Sequence, residues 1–186
     1  MLSYVVTHPE VVVDPATPVT AWGLSERGRE RAERLVALDW VPGLERVVAS
    51  AERKAQETAA LVAAACCRSW TTEPALGEND RSATGFLPPE EFERTADAFF
   101  ADPEVSVRGW ETAAAAQARI VAAVRSLAAA QPVPTAYVTH GAVGTLLWCH
   151  LSGVPVSRRH DQPGQGSWYA FDPDAWRAVQ PWRRIV

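Results

Sequence analysis

Short apolar runs alternate with longer amphipathic stretches along most of the chain. Runs rich in β-branched or aromatic residues, bounded by turn-forming residues, predict strands at 2–7, 46–49, 70–72, 136–140 and 168–171. Apolar residues at helical spacing predict helices at about 25–38, after residue 50, and at 88–103, 109–130 and 142–151. Because strands alternate with long helices, we expect an α/β fold: a three-layer α/β/α sandwich with a mainly parallel central sheet.

The helix starts and the domain limits follow from the same pattern. Ser25 and Ser50 each precede a helical run, and serine is a favoured N-cap, so both are predicted to cap helices. A chain of 186 residues suits one domain, which we expect to span 1–186. The stretch at about 86–108 opens with two prolines and carries Phe92 and Phe99 on one helix face, which predicts a small helical insert over the sheet edge.

Composition excludes several classes of protein. The net charge of −4 gives no basic excess, so a nucleic-acid partner is not expected. No apolar run is long enough to span a bilayer, and the start of the chain lacks a basic signal-peptide region, so we expect neither a membrane partner nor secretion. Cys66, Cys67 and Cys149 are odd in number, which favours reduced thiols and a cytoplasmic location. The oligomeric state, including a homodimer, stays open.

The triplet Val-Thr-His occurs twice, each time at the end of a predicted strand. The first ends at His8 before Pro9, and the second ends at His140 before Gly141. Ligands of parallel α/β sheets bind beyond the carboxyl ends of the strands, so both imidazoles are predicted to face one pocket. Because the residue before proline is pushed toward extended backbone, His8 should end its strand directed out of the sheet.

Two further segments carry candidate chemistry. Arg53 and Lys54 lie where a strand passes into a helix, and cations there suit a bound anion, since helix N-termini also attract anions. The alternative is an i,i+4 ion pair of Arg53 with Glu57 on a solvated face. In the loop at 77–81, Glu78 or Asp80 could act as a general acid if burial raises its pKa, whereas charged loops are commonly just solvated.

Six segments in order resemble the histidine phosphatase superfamily, which includes the phosphoglycerate mutases. Thr7-His8-Pro9 stands where the family has Arg-His-Gly, and Val138-Thr139-His140-Gly141 is similar to its second-histidine motif. The remaining four resemblances are Leu24–Ala32 to Leu-Thr-x-x-Gly-x-x-Gln-Ala, Ser50–Ala59 to Ser-Pro-Leu-x-Arg-Ala-x-Gln-Thr-Ala, Leu76–Glu78 to the acid segment, and Gly109–Thr112 with Arg119 to the Gly-Glu-Ser…Arg helix. The resemblance spans nearly the whole chain.

The resemblance implies a mechanism without metal or other cofactor. His8 would be the nucleophile that forms a phosphohistidine, Glu78 would protonate the leaving oxygen, and His140 with nearby cations would stabilise the phosphoryl oxygens. Counting from Ser50 places the family's second arginine on Lys54, with Arg53 one position earlier. Those two residues are the alternatives for phosphate binding in that motif.

Two departures from the family pattern fall in the first motif. Arginine is replaced by Thr7, which exchanges a bidentate fork for one hydroxyl at a cost of about 1.5–3 kcal/mol. Glycine is replaced by Pro9, which has no N–H to offer an anion. Thr7 remains a predicted phosphate-binding residue together with Arg81, and the other candidates for restoring the lost cation are Arg158 and Arg159.

Three hypotheses about function follow. The first is a metal-independent phosphomonoesterase acting on a small organic phosphate through a phosphohistidine. The second is a family member without phosphatase activity that binds or transforms another small ligand in the same pocket. The third is a metal site formed by His8, His140 and a carboxylate such as Glu78 or Asp80, a ligand set known for metals.

Overall fold

The computed structural model describes residues 1–186 as seven strands and five α-helices. The strands are β1 (Ser3–Thr7), β2 (Arg46–Ala49), β3 (Trp70–Thr72), β4 (Thr135–Thr139), β5 (Ser167–Asp172), β6 (Arg177–Ala178) and β7 (Arg183–Arg184). The helices are α1 (Glu26–Val36), α2 (Arg53–Ala65), α3 (Pro89–Ala101), α4 (Ala113–Ala130) and α5 (Gly141–Ser152). The two-residue strands β6 and β7 were not predicted, since two residues carry no readable period.

The strands form a single sheet in the order β3-β2-β4-β1-β5-β6, with β7 also paired to β5. Strand β4 pairs in parallel with both β1 and β2, and β2 pairs in parallel with β3. Strand β5 runs antiparallel to β1. The order matters for function because β2, β4 and β1 are neighbours, so their carboxyl ends lie side by side. The predicted fold class, an α/β sandwich on a mainly parallel sheet, is confirmed.

Side chains alternate between the two faces of the sheet and form two hydrophobic clusters. Val5 and Tyr137 join a cluster with Ile120 of α4 and Leu146 of α5. The neighbouring strand residues Val6, Ala136 and Val138 instead join a cluster with Leu35 and Val62, which come from α1 and α2. The sheet is therefore covered by helices on both faces, and its interior is closed to solvent.

One predicted helix start is confirmed and two are corrected. Ser25 caps α1 as predicted, since its hydroxyl accepts from the amide of Gly28. Ser50 is not the N-cap of α2, because that position belongs to Glu52. Helix α4 begins at Ala113, four residues later than expected, because positive φ angles at Arg108 and Gly109 interrupt the chain before the helix.

Helix α3, in the segment predicted as an insert, packs into the main core. Phe99 and Phe100 are buried there beside Trp110, and Phe92 faces the pocket that also contains His8. The helix therefore covers the carboxyl ends of the central strands, which differs from the expected position over a sheet edge. No helix is long and apolar enough to cross a membrane, and the three cysteines form no disulfide.

Candidate active site

Three neighbouring strands deliver three polar residues to one place. Ser50, His140 and His8 directly follow β2, β4 and β1. The sheet ladder extends into them, since the amide of His8 donates to Thr139 O at 3.2 Å and that of Ser50 to Val138 O at 3.0 Å. The imidazole rings of His8 and His140 meet edge to face, with centroids 5.2 Å apart. The predicted convergence of the two histidines is therefore present in the fold.

His8 is held as a neutral base with one free ring nitrogen. Its Nδ1 lies 2.8 Å from the carbonyl oxygen of Pro9, so Nδ1–H donates there and the lone pair is left on Nε2. Burial lowers the pKa of His8 to about 4, and the nearby Lys54 ammonium acts in the same direction. His8 is therefore neutral at neutral pH. The replacement of glycine by Pro9 leaves this carbonyl contact intact.

His140 is fully buried next to His8 and, unlike His8, does not line the pocket. Its Nε2 lies 2.7 Å from the hydroxyl of Ser50 and 3.3 Å from a carboxylate oxygen of Glu52. Its Nδ1 has no partner in the protein. Burial, with the positive charges around it, holds the pKa of His140 well below its ordinary value, so the ring is neutral.

A buried ion pair lies at the start of α2, in the position expected to bind an anion. Lys54 is 3% exposed and pairs with the carboxylate of Glu52, and it also donates to Val19 O at 2.8 Å. Glu52 in turn accepts from the amide of Glu78 at 3.0 Å. The charge of Lys54 is thus largely neutralised by a carboxylate at the position where the family pattern has leucine.

The other cations expected at the pocket divide into two cases. The side chain of Arg53 is 63% exposed, pairs with Glu57 at 2.8 Å and does not line the pocket, so its predicted role as a phosphate ligand lacks geometric support. Arg81 lies on the pocket wall, with its guanidinium 5.1 Å from the ring centre of Phe92 and 5.6 Å from that of Trp110. Because Arg81 has no carboxylate partner, its charge is available to a ligand.

The structure separates the two carboxylate candidates for a general acid. Glu78 lines the pocket and accepts from the amides of Ala142 and Val143 at the start of α5. Burial nevertheless raises the pKa of Glu78, with the charge of Glu52 adding to the effect. Asp80 is exposed, and hydrogen bonds from Ser82 lower its pKa. The geometry favours Glu78.

The loop that carries Glu78 is fixed from below by Arg119 of α4. The guanidinium donates to the carbonyl oxygens of Ala75 at 2.8 Å and Gly77 at 3.0 Å, and it pairs with Glu111 at 2.8 Å. This network explains why the segment with Glu111 and Arg119 resembles a family motif although neither residue lines the pocket. Both residues therefore fix the loop that carries Glu78.

Above these polar groups lies a pocket of about 530 Å³ with a largely apolar wall. The apolar residues come from the loop after β1, from the 86–87 segment and from α3, and they include Val11, Val13, Val19, Trp22, Phe86, Leu87, Phe92 and Ala96. Trp22 and Phe86 pack against each other in this wall, with ring centroids 6.0 Å apart. The pocket therefore combines polar groups at its base, which we call the pocket floor (His8, Lys54, Glu78 and Arg81), with aromatic residues in its wall.

Comparison with known proteins places this geometry in a family. The family model of the histidine phosphatase superfamily, branch 1, matches residues 16–181. The chain belongs to the histidine phosphatase superfamily. Among solved structures, the mycobacterial glucosyl-3-phosphoglycerate phosphatase Rv2419c superposes with a TM-score of 0.83 at 19% identity, covering 100% of this chain and 99% of that one. A search of curated protein sequences finds no match.

Two further structures show the same fold. A complex of Rv2419c with inorganic phosphate gives a TM-score of 0.78 at 21% identity, covering 100% of this chain and 95% of that one. YhfR of Bacillus stearothermophilus gives 0.79 at 23% identity, covering 95% and 93%. The family match begins at residue 16, so it does not include the Thr7-His8-Pro9 triplet.

Sequence reasoning missed two residues of the site. Glu52 was readable in principle, because a carboxylate at the leucine position of the second motif, two residues before Lys54, signals a pair. Gln162 lines the pocket and binds the hydroxyl of Thr7. No local signal marks Gln162, since its partner is 155 residues away.

Two other expectations are altered by the structure. Thr7 is fully buried and is not part of the pocket lining, so it reaches a ligand only through Gln162. No group of three or more His, Cys, Asp and Glu side chains is arranged to hold a metal ion, so the hypothesis of a His8–His140–carboxylate metal centre lacks structural support.

Proposed function

We propose that this histidine phosphatase domain is a phosphomonoesterase that acts on a small organic phosphate through a phosphohistidine at His8. One observation carries the proposal: Nδ1 of His8 is fixed on Pro9 O, which leaves a neutral imidazole with its Nε2 lone pair free at the pocket floor. A neutral, oriented imidazole is what nucleophilic attack on phosphorus requires.

The proposed reaction has two balanced steps. In the first, Nε2 of His8 bonds to phosphorus, the bond from phosphorus to the leaving oxygen breaks, and Glu78 gives its proton to that oxygen. In the second, water attacks phosphorus and gives a proton back to Glu78, the N–P bond breaks, and inorganic phosphate leaves. The raised pKa of Glu78 supports the acid role, because the group must hold a proton at the start. The reaction as written uses no metal ion.

Three groups would stabilise the phosphoryl oxygens. His140 does not itself line the pocket, and its Nε2 contacts both the Ser50 hydroxyl and the Glu52 carboxylate, so it would donate to a phosphoryl oxygen only with the ring proton on the unpartnered Nδ1 and with the phosphoryl group seated deeper than the present pocket floor. Arg81 offers an uncompensated charge, whereas Lys54 offers one shared with Glu52. Preorganised donors of this kind account for most of the rate enhancement in enzymatic phosphoryl transfer.

The apolar wall supports an organic leaving group of some bulk. Trp22, Phe86 and Phe92 face the space above the polar floor, where the group bonded to phosphorus would lie. A flat or apolar group would bury surface there, and a volume of about 530 Å³ suits a small organic molecule. We therefore propose a small-molecule phosphate ester as the partner. A cytoplasmic location stays a prediction, and the oligomeric state, including a homodimer, stays open.

The second candidate is a family member that binds another small ligand and has no phosphatase activity. Glu52 favours this alternative, because a buried carboxylate beside Lys54 and His140 opposes a doubly charged phosphate. Loss of the first-motif arginine acts in the same direction. A ligand with less negative charge would suit such a floor.

An aryl phosphate assay with chelator present separates the hypotheses. We expect turnover by the wild type that survives the chelator and disappears in His8→Ala. The matched control is Arg53→Ala, whose side chain lies outside the pocket. Turnover that requires added metal would support a metal centre after all. Absence of turnover and of any phosphoenzyme with a panel of phosphate esters would overturn the proposal in favour of the binding protein.

A further inference from the structure

Thr7, which stands where the family has arginine, contacts a side chain from the other end of the sequence. The hydroxyl of Thr7 lies 2.6 Å from Oε1 of Gln162. Gln162 belongs to the loop that precedes β5, and its side chain lines the pocket together with His8 and Gly141. The threonine thus connects the end of β1 to a polar group at the pocket floor.

The contacts of Thr7 fix which end of the Gln162 amide faces the pocket. The hydroxyl oxygen of Thr7 accepts from the amide of Ser167 at 3.0 Å, and of the two acceptors within reach of its proton, Gln162 Oε1 at 2.6 Å lies closer than Ser167 O at 3.2 Å. A hydroxyl that donates must meet the carbonyl oxygen of the amide. The Nε2 group of Gln162 is therefore turned away from Thr7, and it has no hydrogen-bond partner in the protein.

The loop holds Gln162 at its backbone as well. Its amide donates to the carboxylate of Asp161 at 2.7 Å, and the same carboxylate oxygen accepts from the hydroxyl of Thr145 in α5 at 2.9 Å. On the other side, Nε2 lies so close to Gly141 that a Cβ there would approach it to 2.5 Å. The Gln162 amide is thus seated on the residue that follows His140.

No arginine of the same loop offers an unpaired charge to the pocket. Arg158 lines the pocket, but its guanidinium is paired with the carboxylates of Glu93 and Asp97. Arg159 is exposed, outside the pocket lining, and its Nε donates to the ring of His160 at 3.0 Å. Gln162 is therefore the residue of this loop that brings an unpartnered donor to the pocket lining.

We propose that Gln162 binds the phosphoryl group of the ligand through Nε2, and that Thr7 is a positioning residue that orients it. The inference rests on the proposed function, which supplies a phosphoryl group at His8. The pair would restore one hydrogen bond of the missing arginine without its charge. Hydrogen bonds to charged groups are strong enough that losing this one should weaken anion binding about 10- to 100-fold.

The test measures binding of inorganic phosphate and of vanadate by calorimetry, so it requires no turnover. Gln162→Ala should weaken both about tenfold or more, and Gln162→Glu should weaken them further because it faces the anion with a like charge. Gly141→Ala keeps the backbone amide but displaces Nε2, so it should reproduce much of the Gln162→Ala loss. Arg159→Ala, from the same loop, should bind as the wild type does.

Thr7 is tested through its hydroxyl. Thr7→Ser should retain anion binding and Thr7→Val should lose it, with KM for an aryl phosphate raised more than kcat is lowered. Unchanged phosphate binding in Gln162→Ala, or a wild type that binds neither anion, would overturn the inference. Anion binding that depends on Gln162 in a protein that forms no phosphoenzyme would instead refute the proposed catalysis and leave the role of Gln162 standing.

Discussion

The ends of β1 and β4 carry the same Val-Thr-His triplet and have different tasks. At β1, the hydroxyl of Thr7 donates to Gln162, and His8 fixes Nδ1 on the next carbonyl and keeps Nε2 free. At β4, the hydroxyl of Thr139 donates to Leu76 O at 2.6 Å, in the segment that leads to Glu78, and His140 binds Ser50 through Nε2. The role of a strand end therefore depends on its tertiary partners more than on its own residues.

The comparison also separates the nucleophile from the groups that bind the phosphoryl oxygens. The orientation of His8 depends on a backbone carbonyl, which any residue at position 9 supplies, so it survives the change to proline. The charge available to bind a phosphoryl group depends on side chains, and at three of these positions, Thr7, Glu52 and Lys54, the chain departs from the family pattern. The attacking group and the binding floor have therefore diverged to different extents.

The largest expected effect separates the two histidines. His8→Ala should lower kcat on the order of a millionfold, as removal of an enzymatic nucleophile does. His140→Ala should cost about 10²–10³-fold, the size of one lost donor to the phosphoryl oxygens, and should still form phosphoenzyme. Rapid-quench kinetics on both variants measure the difference. Equal losses of phosphoenzyme would break the comparison.

The next effect concerns the acid held beside β4. Activity requires neutral His8 and protonated Glu78, so kcat/KM should rise with pH as His8 loses its proton near its pKa of about 4 and fall as Glu78 loses its own. The optimum should lie on the acid side of neutrality. Glu78→Gln should lose about 10²–10⁴-fold in kcat and abolish the alkaline limb while keeping the acid limb. An unchanged alkaline limb in this variant would refute the assignment of Glu78.

A smaller effect concerns Lys54, whose charge is neutralised by Glu52. Glu52→Gln should bind inorganic phosphate about tenfold more tightly, because it removes a like charge and frees that of Lys54. The same variant should lose about 3 kcal/mol in the free energy of unfolding, since Lys54 is left buried without its partner. Thermal unfolding with and without phosphate measures both quantities, and added phosphate should recover part of the loss. Weaker phosphate binding would show that Glu52 supports the anion site.

The smallest expected effect is at the neighbouring cation. Arg53→Ala should change phosphate affinity by less than about twofold and stability by no more than about 0.5 kcal/mol, because the side chain is exposed and paired with Glu57. Lys54→Ala is the matched variant at the next position. A larger loss of phosphate binding in Arg53→Ala than in Lys54→Ala would reverse the assignment made from the structure.

Local patterns predicted most of the fold. The strands Arg46–Ala49 and Trp70–Thr72 have the predicted limits because short apolar runs end at polar turns. Helix α4 was extended too far because positive φ at Arg108 and Gly109 has no signature in the apolar stripe. Ser50 was assigned to the helix although its hydroxyl faces His140, since a serine at a strand end fits both roles.

The part of the candidate site that lies at or near the strand ends was predictable from the sequence. His8, His140 and Glu78 follow from parallel topology together with the family resemblance. Gln162 did not, because its meeting with Thr7 depends on how the loop before β5 folds back over the sheet. Contacts between side chains distant in sequence depend on packing, which periodicity does not encode.

The central claim is that His8 receives the phosphoryl group, and trapping that intermediate tests it most directly. A burst of product from an aryl phosphate is quenched in alkali, and the protein is digested and mapped by mass spectrometry. We expect an acid-labile, alkali-stable phosphoryl group on His8, absent from His8→Ala and present in Arg53→Ala. A phosphoryl group on His140 or another residue, or steady turnover with unmodified His8 throughout, would contradict it.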